Sequence, residues 1–309
     1  MIVLFLSAAD DAMEWRRELR KHVPELELRV WPELGDPTEI EAALVWRPPP
    51  GLLDQLANLR LILSLGAGVD HVLADPSLPP GVPIVRLVDP YMTVAMSEYV
   101  QAQVLRLHRQ DPAYLAQQKK ALWRQLPQPN AAERRVGVLG LGVLGGDAAL
   151  KLKVLGFDVA GWSRTERKLP GIASFHGPAG LGALLGRSEI LVNLLPLTPA
   201  TTGILDAGLF ARLPRGASLV NCARGGHLVE ADLLAALDSG QLSAAVLDVF
   251  GDEPLPPRHP FWRHPRIFIT PHVAAATHAP TAAPGVAENL RRLAAGRPLL
   301  NRVDPSERY

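Results

Sequence analysis

Short apolar runs alternate with stretches of helical spacing along almost the whole chain. The apolar run at residues 2–7 predicts a strand, and 12–22 a helix. Residues 43–46 predict a second strand, stopped by Pro48-Pro49-Pro50, and 61–65 a third, which runs into Gly66-Ala67-Gly68. A longer helix is expected over 93–109. Residues 111–134 are polar, contain Pro112, Pro127 and Pro129, and are expected to form a connector. A second alternating series then begins. Strands are expected at 136–139, 159–162, 190–195, 218–222, 244–249 and 267–270. Helices are expected near 144–155, 180–185, 207–213 and 230–238, with a closing helix over 284–295. Strands separated by helical crossovers predict an α/β protein with parallel sheets, and six in the second series suffice for a doubly wound one.

Length and composition narrow the class. The chain has 309 residues, enough for about two domains of ordinary size. Hydrophobic residues make up 48% and charged residues 20%, which excludes disorder over most of its length. Its 32 basic and 31 acidic residues leave a formal charge of +1, so no nucleic-acid partner is expected. No uncharged apolar run reaches the ~18 residues of a membrane span, and the first apolar run has no basic residues before it, so no membrane association is expected. Cys222 is the sole cysteine. No disulfide within the chain can form, no Cys/His cluster has metal-ligand spacing, and a cytoplasmic location is expected.

Gly140-Leu-Gly142-Val143-Leu144-Gly145 follows one predicted strand and opens a helix. In that setting the pattern is a dinucleotide fingerprint. Gly140 allows the tight turn, Gly142 lets backbone approach a pyrophosphate, and Gly145 lets helix and strand pack closely. The amides near Val143 and Leu144 then face the anion. About 20 residues on, sites that use NADH place an acid for the ribose 2′-hydroxyl. Here the strand ends in Gly161-Trp-Ser163-Arg164, with Arg167 and Lys168 beyond. Ser163 and Arg164 suit a 2′-phosphate, and Arg167 adds positive charge, so NADPH is expected before NADH.

Three later strands each end in a polar group. Arg224 follows Asn221-Cys222-Ala223, Asp248 and Glu253 follow the next strand, and His272 follows Thr270-Pro271. Hydride addition to a 2-keto acid makes an alkoxide that needs a proton. Histidine suits that task near neutrality. Glu253 would hold the ring and favour its protonated form, and Arg224 would pair with the substrate carboxylate and polarise the keto oxygen. His227, His264 and His278 read as surface or loop histidines. Cys222 reads as an inert buried thiol.

The ordered set Gly66-Ala-Gly-Val-Asp70, Gly140 to Gly145, Pro196-Leu-Thr-Pro-Ala-Thr201, Asn221-Cys-Ala-Arg-Gly225, Leu247-Asp-Val-Phe250 with Glu253-Pro254, and Thr270-Pro-His272 resembles the D-isomer-specific 2-hydroxyacid dehydrogenase family over nearly the whole chain. Val45-Trp-Arg-Pro-Pro49, Gly161-Trp-Ser-Arg164 and Trp262-Arg-His-Pro-Arg266 resemble a subgroup that reduces glyoxylate and hydroxypyruvate. The resemblance implies two doubly wound parallel-sheet domains. One is a Rossmann-type cofactor domain over 98–281. The other is a smaller flavodoxin-like substrate domain, 1–97 completed by 282–309, with a cleft between them that closes on the substrate. It also implies roles. His272 would be the acid/base, Glu253 its partner and Arg224 the substrate anchor. The amides of Ala67 and Gly68 would hold the substrate carboxylate, and Trp46 would border the substrate. Asp248 and the Cys222 backbone would meet the nicotinamide carboxamide, while Leu195, Pro196 and Thr201 line the cofactor cleft. A homodimer is implied as well. The expected reaction is reduction of a small 2-keto acid by NADPH. The alternatives are a dehydrogenase for another D-2-hydroxy acid and a dinucleotide-sensing binding protein.

Overall fold

The computed structural model describes residues 1–304, so the last five positions of the expected segment 282–309 lie outside the described residues. The chain divides into two compact units. One is Met1–Met92 with the chain from Thr277 onward, and the other is Thr93–Ala276.

The first unit opens with β1 (Ile2–Leu6), α1 (Ala12–Arg20), β2 (Glu27–Val30), β3 (Ile40–Val45), β4 (Leu61–Ser64), α2 (Asp70–Leu73) and β5 (Ile84–Val85). Val3 to Leu6 are all buried, as expected of a parallel strand covered on both faces. The Asp11 carboxylate caps α1 by accepting the Met13 N–H at 2.8 Å, and Trp15 and Leu19, four residues apart, bury the helix's inner stripe. Strand β2 was not anticipated. Its Glu-Leu-Arg-Val sequence mixes charge into an edge strand, which suits a sheet border and hides the apolar signal.

Helix α3 (Pro90–His108) carries the division between units at Met92 and Thr93. Then comes α4 (Asp111–Gln118), where a connector was expected. Pro112 does not prevent this helix, because it lies in the first turn, where a missing N–H costs no helical bond.

The second unit continues through β6 (Arg135–Leu139), α5 (Val143–Val154), β7 (Asp158–Ser163), β8 (Ala173–His176), α6 (Gly177–Arg187), β9 (Ile190–Asn193), α7 (Ala207–Ala211), β10 (Ala217–Asn221), α8 (Glu230–Asp238), β11 (Leu242–Leu247) and β12 (Ile267–Ile269). Its strands, all parallel, lie in the order β12-β11-β10-β9-β6-β7-β8. One more strand is present than the six expected. The extra one is β8, an edge strand whose only large apolar residue is Phe175. The order runs outward both ways from the β6–β9 pair, so the topological switch point falls there. The register is level across this edge. Leu139 pairs with Asn193, Asn193 with Asn221, Asn221 with Leu247, and Leu247 with Ile269. The segments that follow these five residues therefore emerge from one edge of one sheet.

The first unit is completed by α9 (Ala279–Ala294) and β13 (Arg302–Val303), and its sheet reads β13-β5-β4-β3-β1-β2. Helix α9 starts earlier than the expected 284, because Pro280 occupies its first turn and Pro284 is carried inside the helix. No helix among the described residues is long and apolar enough to cross a membrane.

Candidate functional site

The glycine turn sits at the switch point. Gly140 has φ 94°, and a Cβ there would stand 2.6 Å from the Leu194 carbonyl oxygen, so both conformation and space demand glycine. A Cβ on Gly145 would come within 1.8 Å of the Gly140 carbonyl oxygen. At Gly142 a Cβ would meet no atom within 4 Å. Gly140 and Gly145 thus close the turn onto α5, while Gly142 leaves an approach to the helix N-terminus. Gly142 is its N-cap, with no side chain to satisfy the first amides, which include those of Val143, Leu144 and Gly145. This cradle fits a dinucleotide pyrophosphate.

Strand β7 ends in Ser163, whose buried hydroxyl donates to the Thr165 carbonyl at 2.7 Å. Arg164 and Arg167 are exposed, and Lys168 forms an exposed 3.5 Å ion pair with Glu166. The single Ser163 proton is therefore held within its own turn.

The loop after β9 is tied internally. Thr201 Oγ1 donates to the Pro196 carbonyl at 2.7 Å and accepts the Thr198 N–H at 2.8 Å. The Leu195 side chain lies in the core, so only its backbone is left to face a ligand. Two features here were missed from sequence. Asn193 and Asn221 are fully buried and joined by a 3.0 Å hydrogen bond, and Asn221 Nδ2 donates onward to the Arg224 carbonyl at 3.1 Å. His227, expected as a surface or loop residue, lies in the loop after β10 but is fully buried, with ring nitrogens 3.2 Å from the Arg224 carbonyl and 3.1 Å from the Pro196 carbonyl. A polar residue beside two glycines gives no sequence sign of burial, because its partners are distant carbonyls.

Arg224 is half-buried, and its Nη1 donates to the Ala223 carbonyl at 2.7 Å. The next residue, Gly225, brings this loop against the one after β11. A Cβ on Gly225 would stand 1.9 Å from the Phe250 carbonyl carbon. Phe250 in turn donates its N–H to Glu253 Oε1 at 2.9 Å. The other oxygen, Oε2, lies 2.8 Å from His272 Nδ1. Both partners are substantially shielded, with Glu253 13% and His272 32% exposed. His272 has φ 54°, a left-handed backbone that costs of order 1–3 kcal/mol in a residue with a side chain. Asp248, 1% exposed, holds that turn. Its carbonyl accepts the His272 N–H at 2.8 Å, and its carboxylate accepts the N–H groups of Val273 and Ala274, each at 3.0 Å. Cys222 is buried on the neighbouring strand end, and burial, with the Asp248 charge second, pushes its thiol well above the ordinary range.

In the first unit, Trp46 follows β3 and lies over Gly66, where a Cβ would stand 2.5 Å from the indole. Its ring is 4.4 Å from that of His71, and the Arg47 guanidinium lies 5.8 Å from the indole centroid. Ser64 shapes the Gly66-Ala67-Gly68 loop, with Oγ accepting the Gly66 N–H at 3.1 Å and donating to the Gly68 carbonyl at 2.9 Å. Among the described residues no cluster of His, Cys, Asp and Glu is placed to hold a metal ion.

A glycine cradle at the switch point, with a His–Glu pair along the same edge, defines a nicotinamide-dependent dehydrogenase. The chain belongs to the D-isomer-specific 2-hydroxyacid dehydrogenase family, whose NAD-binding domain matches residues 101–274. A relative named glyoxylate/hydroxypyruvate reductase A, from Yersinia enterocolitica serotype O:8 / biotype 1B, is 43% identical over the full length of both chains. A D-isomer-specific 2-hydroxyacid dehydrogenase from Xanthobacter autotrophicus Py2, solved with NADPH and MES, is 46% identical. It superposes with TM-score 0.95 over 100% of this chain and 99% of its own. An NADPH-dependent glyoxylate/hydroxypyruvate reductase from Sinorhizobium meliloti, solved with NADP and sulfate, is 43% identical, with TM-score 0.92 and the same coverage.

Proposed function

We propose that this protein reduces small 2-keto acids, glyoxylate and hydroxypyruvate, to their 2-hydroxy acids with NADPH. The observation that carries the reading is the His272–Glu253 pair, set on the sheet edge that also presents the glycine cradle and Arg164. The cofactor supplies a hydride when bound. The chain's own residues do the rest. With Nδ1 facing Glu253, His272 presents Nε2 to the substrate, and the proton on that nitrogen passes to the keto oxygen as hydride reaches the carbon. Glu253 keeps the ring oriented, itself fixed by the Phe250 amide. Arg224 binds the carboxylate and stabilises the developing oxyanion. Ala67, Gly68 and Trp46 are assigned to substrate binding. Gly140, Gly142, Val143, Leu144 and Gly145 hold the pyrophosphate. Arg164, Arg167 and the Ser163 turn take the 2′-phosphate, while the segments of Leu195, Pro196, Thr201, Cys222 and Asp248 border the nicotinamide side.

We place the enzyme in the cytoplasm and infer a homodimer. The apolar residues Tyr114, Leu115, Leu122 and Trp123, exposed along one short segment with Trp123 99% exposed, support self-association. Light scattering at micromolar concentration reads that state, and a monomeric mass overturns it.

Initial rates of reduced-cofactor oxidation test the reaction, with glyoxylate and hydroxypyruvate each paired with NADPH and with NADH. Fast NADPH oxidation with either acid is expected. Turnover of only bulkier keto acids would reassign the substrate. NADPH binding without any turnover would make the protein a sensor.

A further inference from the structure

Resting on that reading of His272 as the proton donor, a further residue enters the site. The left-handed turn at His272 is held by Asp248, and the Asp248 carboxylate must itself be held. It is 1% exposed, and a buried carboxylate needs hydrogen-bond donors on both oxygens. The amides of Val273 and Ala274 supply one to each oxygen. The Thr270 hydroxyl supplies another, donating to Oδ1 at 2.5 Å.

Thr270 has one hydroxyl proton, and the carboxylate takes it. Its oxygen is left as an acceptor, and Tyr99 Oη lies 2.6 Å away. Of the two hydroxyls in that contact, only Tyr99 has a proton to give, so the direction is fixed: Tyr99 donates to Thr270, and Thr270 donates to Asp248. Burial also pushes the Tyr99 phenol well above its ordinary range, which keeps it a donor throughout the working pH range.

The ring of Tyr99 packs against core residues of the second unit, a role any aromatic fills. The hydroxyl meets the Thr270 relay. We propose that Tyr99 is a positioning residue for His272, acting through Thr270 and Asp248 to hold the imidazole-bearing turn in its left-handed conformation. Tyr99 touches neither substrate nor reacting atoms in this scheme. Its effect is on the orientation of the proton donor, where small misplacements carry large rate costs.

Tyr99→Phe deletes the hydroxyl and keeps the ring, Thr270→Val breaks the relay at its middle, and Thr270→Ser restores a hydroxyl. With glyoxylate and NADPH, Tyr99→Phe is expected to lower kcat about tenfold, with KM and the NADPH dissociation constant within about twofold of wild type. Thr270→Val is expected to lower kcat further, and Thr270→Ser to recover most of it. The double variant Tyr99→Phe/Thr270→Val should be no slower than Thr270→Val alone, since both cut one chain. An independent readout is the His272 Cε1–H resonance in the NADP complex, assigned by its loss in His272→Gln. It should broaden or move in Tyr99→Phe. Wild-type kcat in Tyr99→Phe, an unmoved resonance, or losses that multiply in the double variant would each overturn the proposal. If wild type reduces no keto acid, the catalytic reading falls, and the resonance alone still decides whether Tyr99 orients His272.

Discussion

His272 Nδ1 stands 2.8 Å from Glu253 Oε2, and the opposite oxygen of that carboxylate accepts the Phe250 amide at 2.9 Å. The carboxylate is thus fixed at both ends, and it sets which imidazole nitrogen is turned away from it, the one that faces the substrate in the proposed reaction. His272→Ala removes the proton donor, so kcat with glyoxylate and NADPH should fall about 10²–10⁴-fold. NADPH affinity should stay near wild type. Glu253→Gln keeps the shape and removes the charge, so a smaller loss, about tenfold, is expected. Unchanged steady-state rates in His272→Ala would remove it from the mechanism.

The two glycines at the ends of the helix-opening turn should fail in different ways. At Gly145 an added methyl meets the Gly140 carbonyl oxygen at 1.8 Å, a backbone atom that cannot swing aside. Gly145→Ala should therefore destabilise the fold, by about 1–3 kcal/mol or more. At Gly142 the same methyl meets no protein atom within 4 Å. Gly142→Ala should keep the melting temperature within about 2 °C of wild type and weaken NADPH binding about tenfold or more, because the methyl occupies the pyrophosphate approach. Thermal melts with and without NADPH separate the two. A large drop in stability for Gly142→Ala would contradict the cradle.

Burial raises the Cys222 thiol, so it should be inert in the native protein. Iodoacetamide at pH 8 should label less than about a tenth of the native enzyme in the time that labels the urea-unfolded chain fully. The linkage has a definite sign. Unfolding exposes a thiol that ionises near its ordinary value of about 8.5, while the native thiol stays protonated. Its contribution to stability is therefore full below that value and declines as pH rises above it. The denaturation midpoint of wild type should fall faster than that of Cys222→Ala between about pH 8 and 10. Parallel curves would show that the thiol titrates alike in both states.

The second unit was the more legible in sequence because its strands are continuous apolar runs and its chemistry sits at their ends. A strand end marks a sheet edge, so Arg224, Asp248 and His272 could be placed together from one dimension. The features that leave no sequence signal depend on contacts distant in sequence. Edge strands β2 and β8 carry too little apolar signal to stand out from turns. His227 and the Asn193–Asn221 pair are satisfied by carbonyls and amides from other loops, and polar residues look exposed until those partners are known. The Asp248 carboxylate also engages the turn that carries His272, a role visible only once β11 and β12 lie side by side.

In the proposed site, the end of β7 selects the cofactor. No carboxylate occupies Ser163, Arg164 or Thr165, and the Ser163 proton is engaged with the Thr165 carbonyl. On the proposed reading, discrimination falls on the exposed guanidinium of Arg164, with Arg167 three residues on. A charge-assisted hydrogen bond to a phosphate contributes about 1.5–3 kcal/mol, roughly a factor of ten or more in affinity. Arg164→Ala should raise the NADPH dissociation constant by at least that factor and leave the NADH constant within about twofold, since NADH has no 2′-phosphate for the guanidinium to meet. Arg167→Ala should show the same selectivity with a smaller loss, its charge acting at longer range. Equal weakening of both cofactors by Arg164→Ala would mean that the arginine packs against the adenine instead of binding the phosphate, and the NADPH preference would then have to come from elsewhere along the β7 turn.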